Sequence, residues 1–328
     1  MTTLDVLRAG ARPFARPAHR RAARLVRPLA GYLMVLPALG VLVLFYYVPA
    51  ILLFVISFFH YHLGGAGTSF AGLDNFRVLF DQPLFWSSLA VSGYYVLVMV
   101  PATVVISLAL AMLVRDGVRR QVQGRRRRGR GGVTQALVFL PHVTPLVATS
   151  IVWIWLFNPQ FGLVDYVLRA FTSSPPNWLY STNYSMPAIM VYSLWHSVGF
   201  YMVLSLAGLS SVPDRVLEAA RVEGVTGFRA LRRVILPLIT PTLYLVSVLA
   251  TINTMQAFSQ IYTLSGGAHG HGGGPAFSTT TDALLIYQTA FTYNHFSLAA
   301  AMSLMLFAIL VALTLLQRWG FSKLVFYR

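Results

Sequence analysis

The chain has 328 residues, a formal net charge of +16 and no cysteine, with 56% hydrophobic and only 10% charged residues. Average proteins carry about 25% charged residues, so this composition excludes a soluble enzyme and a soluble nucleic-acid binder. The lack of cysteine also removes a disulfide scaffold, a thiolate zinc site and a cysteine nucleophile.

From the amino terminus, an Arg/Ala/Pro-rich stretch (Thr2 to Arg27) precedes the first apolar run. Residues 1–28 read as a cytoplasmic segment and residues 29–328 as one transmembrane domain. A membrane-spanning helix needs about 20 mostly apolar residues. Six windows meet that length: Leu29 to Phe59, Trp86 to Val114, Val133 to Phe157, Tyr184 to Leu209, Val234 to Leu264 and Ser297 to Trp319. Backbone groups in lipid must be satisfied within the segment, which makes these windows helices and the fold all-α. The first run is too long for the apolar core of a signal peptide and reads as a retained span. Pro37, Pro49, Pro101, Pro145 and Pro241 fall inside windows and predict kinks or early ends.

The arginines fix an orientation. Seven precede the first span, eight follow the second, five follow the fourth, and Arg318, Lys323 and Arg328 close the chain. The opposite side holds only Arg77 and Arg169. Cationic flanks stay cytoplasmic, so the split predicts six spans with both termini cytoplasmic in the plasma membrane. The Arg125–Arg128 run then reports topology and contact with anionic lipid headgroups, not nucleic acid.

The window interiors hold no Asp, Glu, Lys or Arg, and His142 and His196 are the only candidates there for a proton relay. No acid pair, HExxH, GxSxG or GxxxxGK[ST] appears, so no catalytic residue is assigned and no ATP site of the phosphate-loop kind is expected. His269 and His271 lack a third ligand and do not make a metal site.

The loop of about 210–237, between spans four and five, is different. Ser211 followed by Asp214 suggests a capping box, with Pro213 in the first turn. Residues 214–223 favour a helix, which Gly224 can end. Val216, Leu217, Ala220 and Val222 give it apolar surface beside Glu218 and Arg221. A second short helix is expected from Thr226 to Ile235. The pair would form a compact knob at the membrane surface, able either to dock in a cleft of a partner or to pack on its own spans.

The run Glu218-Ala219-Ala220, then Gly224, then Val234-Ile235-Leu236-Pro237 resembles the EAA motif of permease subunits of binding-protein-dependent ABC importers. Only Val234 departs from the family pattern, where isoleucine is usual. Several other stretches are similar to the sugar-importer branch in the same order: Phe70 to Phe80, Phe139-Leu140-Pro141, Trp153 to Asn158, and Gly273-Gly274-Pro275 with Thr279–Thr281 and Tyr287. The resemblance covers roughly residues 29–328 and leaves out the Arg-rich amino terminus; the Gln121–Gly132 stretch is an unusual insert.

The resemblance implies the type I ABC importer permease fold. It also implies a second permease subunit in a heterodimer, an ATPase subunit dimer at the cytoplasmic face, and an extracytoplasmic solute-binding protein. ATP would be bound by the partner ATPase, and this chain would hold no cofactor. Carried over, Glu218, Ala219, Ala220 and Gly224, with Leu236 and Pro237 closing the motif, would couple the chain to that ATPase. The two alanines would permit close approach and Gly224 the turn. The branch handles mono- and oligosaccharides, polyols and glycerol phosphate. Sugar binding needs aromatic faces with amides or hydroxyls, which spans four and five offer in Tyr192, Trp195, Phe200, Tyr201, Asn253 and Gln256. Two other readings stand beside this one: an ion-coupled secondary transporter, which needs an ionisable group in a span, and a membrane scaffold that transports nothing.

Overall fold

In the computed structural model, residues 32–61, 67–122, 130–172, 175–266 and 272–322 are described. The Arg-rich amino terminus, the Arg125–Arg128 run and both His269 and His271 lie outside them. The chain divides into two units at Leu53/Phe54. The first is the greater part of one apolar helix, α1 (Tyr32–Ile56). It accommodates Pro37 and Pro49 without a break and carries one π-helical turn at Val43–Tyr47.

The second unit opens with a two-residue antiparallel hairpin, β1 (Phe59–His60) and β2 (Ser69–Phe70), in which Phe59 faces Phe70. The all-α expectation holds apart from this pair. Then follow α2 (Asp74–Phe80) and the long α3 (Pro83–Val122), which runs through Pro101 unbroken. The third window is not one straight helix. It is α4 (Arg130–Val143) and α5 (Leu146–Leu156), bent by 96°. Pro141 and Pro145 lack backbone donors; Pro141 is carried inside the last turn of α4, while Thr144, before Pro145, leaves helical geometry. After the short α6 (Leu163–Leu168) come α7 (Ser185–Ser210) and α8 (Asp214–Val222).

The expected second loop helix is instead the first part of the fifth span, α9 (Gly227–Met255), which passes through a π-helical turn at Leu231–Ile235. Pro237 and Pro241 remove helical donors just beyond that turn, which is where ladder adjustments occur. The fifth window also ends early: α9 stops at Met255, and α10 (Ser259–Leu264) starts after a three-residue break. Last come α11 (Asp282–Tyr287) with a following π-helical turn and α12 (Phe296–Ser322). Among the described residues, five helices are long and apolar enough to cross a membrane, or six with the bent pair α4/α5 as one span.

Helices in lipid gain little from hydrophobic burial and associate through close packing and polar contacts. Small residues make the close approaches. A side chain at Gly199 of α7 would sit 2.2 Å from the Val138 carbonyl oxygen of α4, and one at Gly208 would sit 2.6 Å from the Thr242 hydroxyl of α9. Ser107 of α3 and Ser205 of α7 meet at 3.3 Å. Gln317 of α12 donates to the Thr251 hydroxyl at 2.6 Å and the Ser247 hydroxyl at 3.3 Å, tying the last span to α9.

Candidate functional site

A cavity of about 450 Å³ lies where α7 passes the bend of α4/α5 and the break after α9. At the bend α7 reaches backbone carbonyls of the third span. The Tyr192 hydroxyl donates to the Leu146 carbonyl and meets the Thr149 hydroxyl, each at 2.8 Å. His196 Nε2 lies 3.4 Å from the Thr144 carbonyl oxygen. The side chains that hold the bend are therefore also cavity walls.

Five of the six residues singled out on spans four and five line this cavity: Tyr192, Phe200, Tyr201, Asn253 and Gln256. Tyr192 and Tyr201 are buried, and Asn253 Nδ2 donates to the Tyr201 hydroxyl at 2.9 Å. Phe200 stacks on His142 with ring centroids 4.9 Å apart. Gln256 caps α9 and turns into the cavity. Trp195 does not line it. One residue along the helix is a turn of about 100°, since there are about 3.6 residues per turn, so Trp195 faces away from the side that His196 presents. Its ring packs on Trp153 at 5.3 Å instead. Thr251 is likewise spent elsewhere, accepting from Gln317.

Sequence reasoning missed several of the other walls. Tyr95, Met99 and Thr103 come from α3, which lacks the dense aromatic and amide clustering that drew attention to spans four and five. Ser259 and Gln260 arrive, beside Phe258, because the helix breaks where no glycine or proline marks it. Among the described residues lining the cavity there is no Asp, Glu, Lys or Arg; it offers hydroxyls, amides, imidazoles and aromatic faces.

The loop of the EAA motif forms a single helix, α8, standing at the foot of α7. The expected capping box is absent: Pro213 occupies the N-cap, and the Ser211 hydroxyl turns back to the Gly208 carbonyl at 2.8 Å. At the other end Gly224 has φ +74°, the Val225 N–H donates to the Ala220 carbonyl at 2.8 Å and the Gly224 N–H to the Arg221 carbonyl at 3.1 Å. That is a Schellman C-cap, for which glycine is the favoured residue. Leu217 packs inward on Leu209, Val212 and Ile239, and Ala220 is 7% exposed. Glu218 and Ala219 face outward, with Val222 at 89% and Phe228 at 75% exposure beyond them. Of the two alanines, then, Ala219 lies on the free face and Ala220 seats the helix on its own spans. Leu236 joins the same inner cluster, and Pro237 sits in the turn that follows.

Two buried carboxylates lie outside every apolar window: Asp165, which accepts from the Trp178 indole at 2.8 Å, and Asp282. Asp282, 4% exposed at the start of α11, accepts from the Ser88 hydroxyl at 2.7 Å, and its backbone N–H donates to the Ser92 hydroxyl at 2.9 Å. Its Oδ2 is sealed from solvent without a partner. Burial pushes this carboxyl above the usual carboxylate range, and the two serine hydroxyls pull it part of the way back.

Membrane-length helices around a polar, aromatic cavity define a polytopic membrane transport protein. Residues 124–324 match the family described as binding-protein-dependent transport system inner membrane component, and the chain belongs to that family: a transporter subunit of the ABC importer class rather than an enzyme. It is 29% identical over 285 residues to the trehalose/maltose transport system permease protein of Thermococcus litoralis, covering 87% of this chain and 91% of that one. It is 31% identical over 288 residues to the sn-glycerol-3-phosphate transport system permease protein of Yersinia enterocolitica, covering 87% and 92%. A solved bacterial ABC transporter involved in import of the acidic polysaccharide alginate superposes with a TM-score of 0.76 at 20% identity, over 93% of this chain and 99% of that one. The type I importer permease fold expected from the sequence is the one observed.

Proposed function

We propose that the chain is the permease subunit through which a carbohydrate is imported across the plasma membrane, with ATP hydrolysed on a partner subunit. The observation that carries this reading is the cavity at the two helix breaks. Its aromatic faces (Tyr192, Phe200) suit the C–H faces of a sugar ring, and its amides and hydroxyls (Asn253, Gln256, Tyr201) suit the ring hydroxyls. Its volume of about 450 Å³ falls in the range of small-molecule sites. The trehalose/maltose and glycerol-phosphate substrates named for the relatives agree with this chemistry.

The outer face of α8 supports coupling to an ATPase dimer. Glu218 and Ala219, followed by exposed Val222, offer a carboxylate beside a low, partly apolar surface, while Ala220 and the Gly224 cap hold the helix in place. The arginine distribution supports a cytoplasmic position for this face and both termini. A second permease subunit in a heterodimer completes the path, and an extracytoplasmic solute-binding protein delivers the solute. This chain needs no cofactor of its own. The test is uptake by the reconstituted complex with its cognate binding protein, over a panel of neutral saccharides, polyols and glycerol phosphate. ATP-dependent accumulation of one of them is expected, and it drops at least tenfold, about 1.4 kcal/mol, in Asn253→Ala or Tyr201→Phe. Accumulation of none of them overturns the reading.

A further inference from the structure

A second cavity, of about 650 Å³, adjoins the first. The two share Phe258 and Ser259 as lining residues, so the wall between them is the start of α10. Phe258 is the first residue of that wall and is not held by helix geometry: its φ of −126° and ψ of −62° fall in the break between α9 and α10. It is held by rings. Phe258 stacks on Tyr262 at 5.4 Å and packs on Tyr287 at 4.7 Å, and Tyr262 meets Tyr287 at 5.5 Å.

The second cavity is more apolar than the first but carries the same pairing of chemistries. Trp155, Tyr180 and Tyr262 present aromatic faces, and Ser259 and Thr263 present hydroxyls. It also reaches Gly266, Gly274 and Pro275, beyond the end of α10 and away from the EAA loop. We infer that this cavity is a second saccharide subsite on the same path, and that Phe258 is the partition that sets how long a saccharide the chain accommodates. The inference rests on the carbohydrate reading above. With the ring in place, a solute in the first cavity ends at Phe258. With the ring turned aside or removed, the two cavities become one continuous groove able to hold additional sugar units.

The lack of cysteine in the chain makes the partition directly measurable. Ser197→Cys puts a thiol in the first cavity and Thr263→Cys puts one in the second. Each is assembled in the complete complex in right-side-out vesicles and treated from outside with impermeant methanethiosulfonate reagents of graded size, reading label on this chain's own gel band. In a Phe258→Ala background, the Ser197→Cys thiol is expected to react about tenfold faster and to accept larger reagents, because a packed ring no longer has to move. Phe258→Leu gives an intermediate rate should the alanine variant fail to assemble, and Phe258→Tyr keeps the native rate. The Thr263→Cys thiol reacts at one rate in all backgrounds. An unchanged Ser197→Cys rate in both the Ala and Leu backgrounds overturns the partition. An unreactive Thr263→Cys thiol overturns the subsite, since lipid or the second permease then fills the groove. Labelling as expected in a complex that moves no saccharide would leave the partition between the two cavities standing and remove the carbohydrate reading, together with the saccharide assignment of the second cavity.

Discussion

Glycines that look alike in the sequence do different work in the fold. Gly199 is held by contact: a methyl group there would meet the Val138 carbonyl at 2.2 Å and the Phe139 Cα at 2.8 Å, both backbone atoms that cannot step aside. Gly224 is held by conformation alone: nothing lies within 4 Å of its missing side chain, but its φ is +74°. Gly199→Ala should therefore force α7 away from α4 and lower the thermal midpoint of the purified complex, by the ~1–3 kcal/mol of an overpacked core or more. Gly224→Ala should cost about 1–2 kcal/mol, confined to the end of α8. Thermal unfolding followed on both variants separates the two, and an equal loss would contradict the assignment. Asp282 gives a pH prediction at the same scale. Its carboxyl is raised in the folded state, so the fold favours the neutral form. The stability this contributes is complete below the ordinary carboxylate value of about 3.9 and is lost as pH rises through the raised one. Asp282→Asn keeps an acceptor for the Ser88 hydroxyl and carries no charge. Its thermal midpoint should exceed that of the native chain at neutral pH, and the gap should close as pH falls toward 4. A gap that does not change with pH would show that burial of the charge is not the cause.

At the scale of elements, the bend of the third span shows what a sequence does and does not disclose. Pro141 and Pro145 announce an interruption, but the 96° angle is set by groups elsewhere in the chain. Tyr192 and His196, one helical turn apart on α7, reach the Leu146 and Thr144 carbonyls beside the bend, where Leu146 also accepts from the Thr149 and Ser150 hydroxyls. Tyr192→Phe keeps the ring and removes only the hydroxyl, leaving the Leu146 carbonyl and the Thr149 hydroxyl without it. Because Leu146 and Thr149 keep other partners, the loss is that of one net hydrogen bond, about 0.5–1.5 kcal/mol, so a lower thermal midpoint is expected, with faster hydrogen exchange in residues 146–150. Unchanged exchange there would mean that the bend does not depend on Tyr192. The break at Gln256–Phe258 was not legible at all, because the local sequence Thr-Met-Gln-Ala-Phe-Ser contains no helix breaker; ring packing of Phe258 against Tyr262 and Tyr287 accompanies it. The second loop helix was misjudged for the opposite reason. Gly224 and Thr226 look like the start of a separate element, yet nothing after Gly227 stops the helix before Met255.

Across the whole molecule, the positions of the spans followed from hydropathy because lipid leaves the backbone no alternative to internal hydrogen bonding. The cavity was half legible: spans four and five advertise their aromatic and amide residues, while Tyr95 and Thr103 of α3 become walls only through packing. The net charge of +16 reads as an orientation signal, since the topology expected from the sequence assigns nearly all of the arginines to the side of the EAA loop. That placement sets what α8 can do. Leu217 packs on the apolar cluster that α3, α7 and α9 supply and Ala220 is buried, so on the proposed reading a push on the outer face is expected to reach those helices. The same helices wall the cavity, so the proposed coupling predicts that motion of the knob changes the proposed solute site. Glu218→Lys alters only the outer face, and it should leave assembly and thermal midpoint near native. Gly224→Pro cannot hold φ at +74°, because proline fixes φ near −65°, and it should unseat the cap. Both variants are expected to lose stimulation of ATP hydrolysis by solute-loaded binding protein, measured on the reconstituted complex. Glu218→Lys should do so with the complex still intact by size-exclusion chromatography. Native stimulation in the Glu218→Lys complex would remove α8 from the coupling path and leave the loop as a structural brace for its own spans.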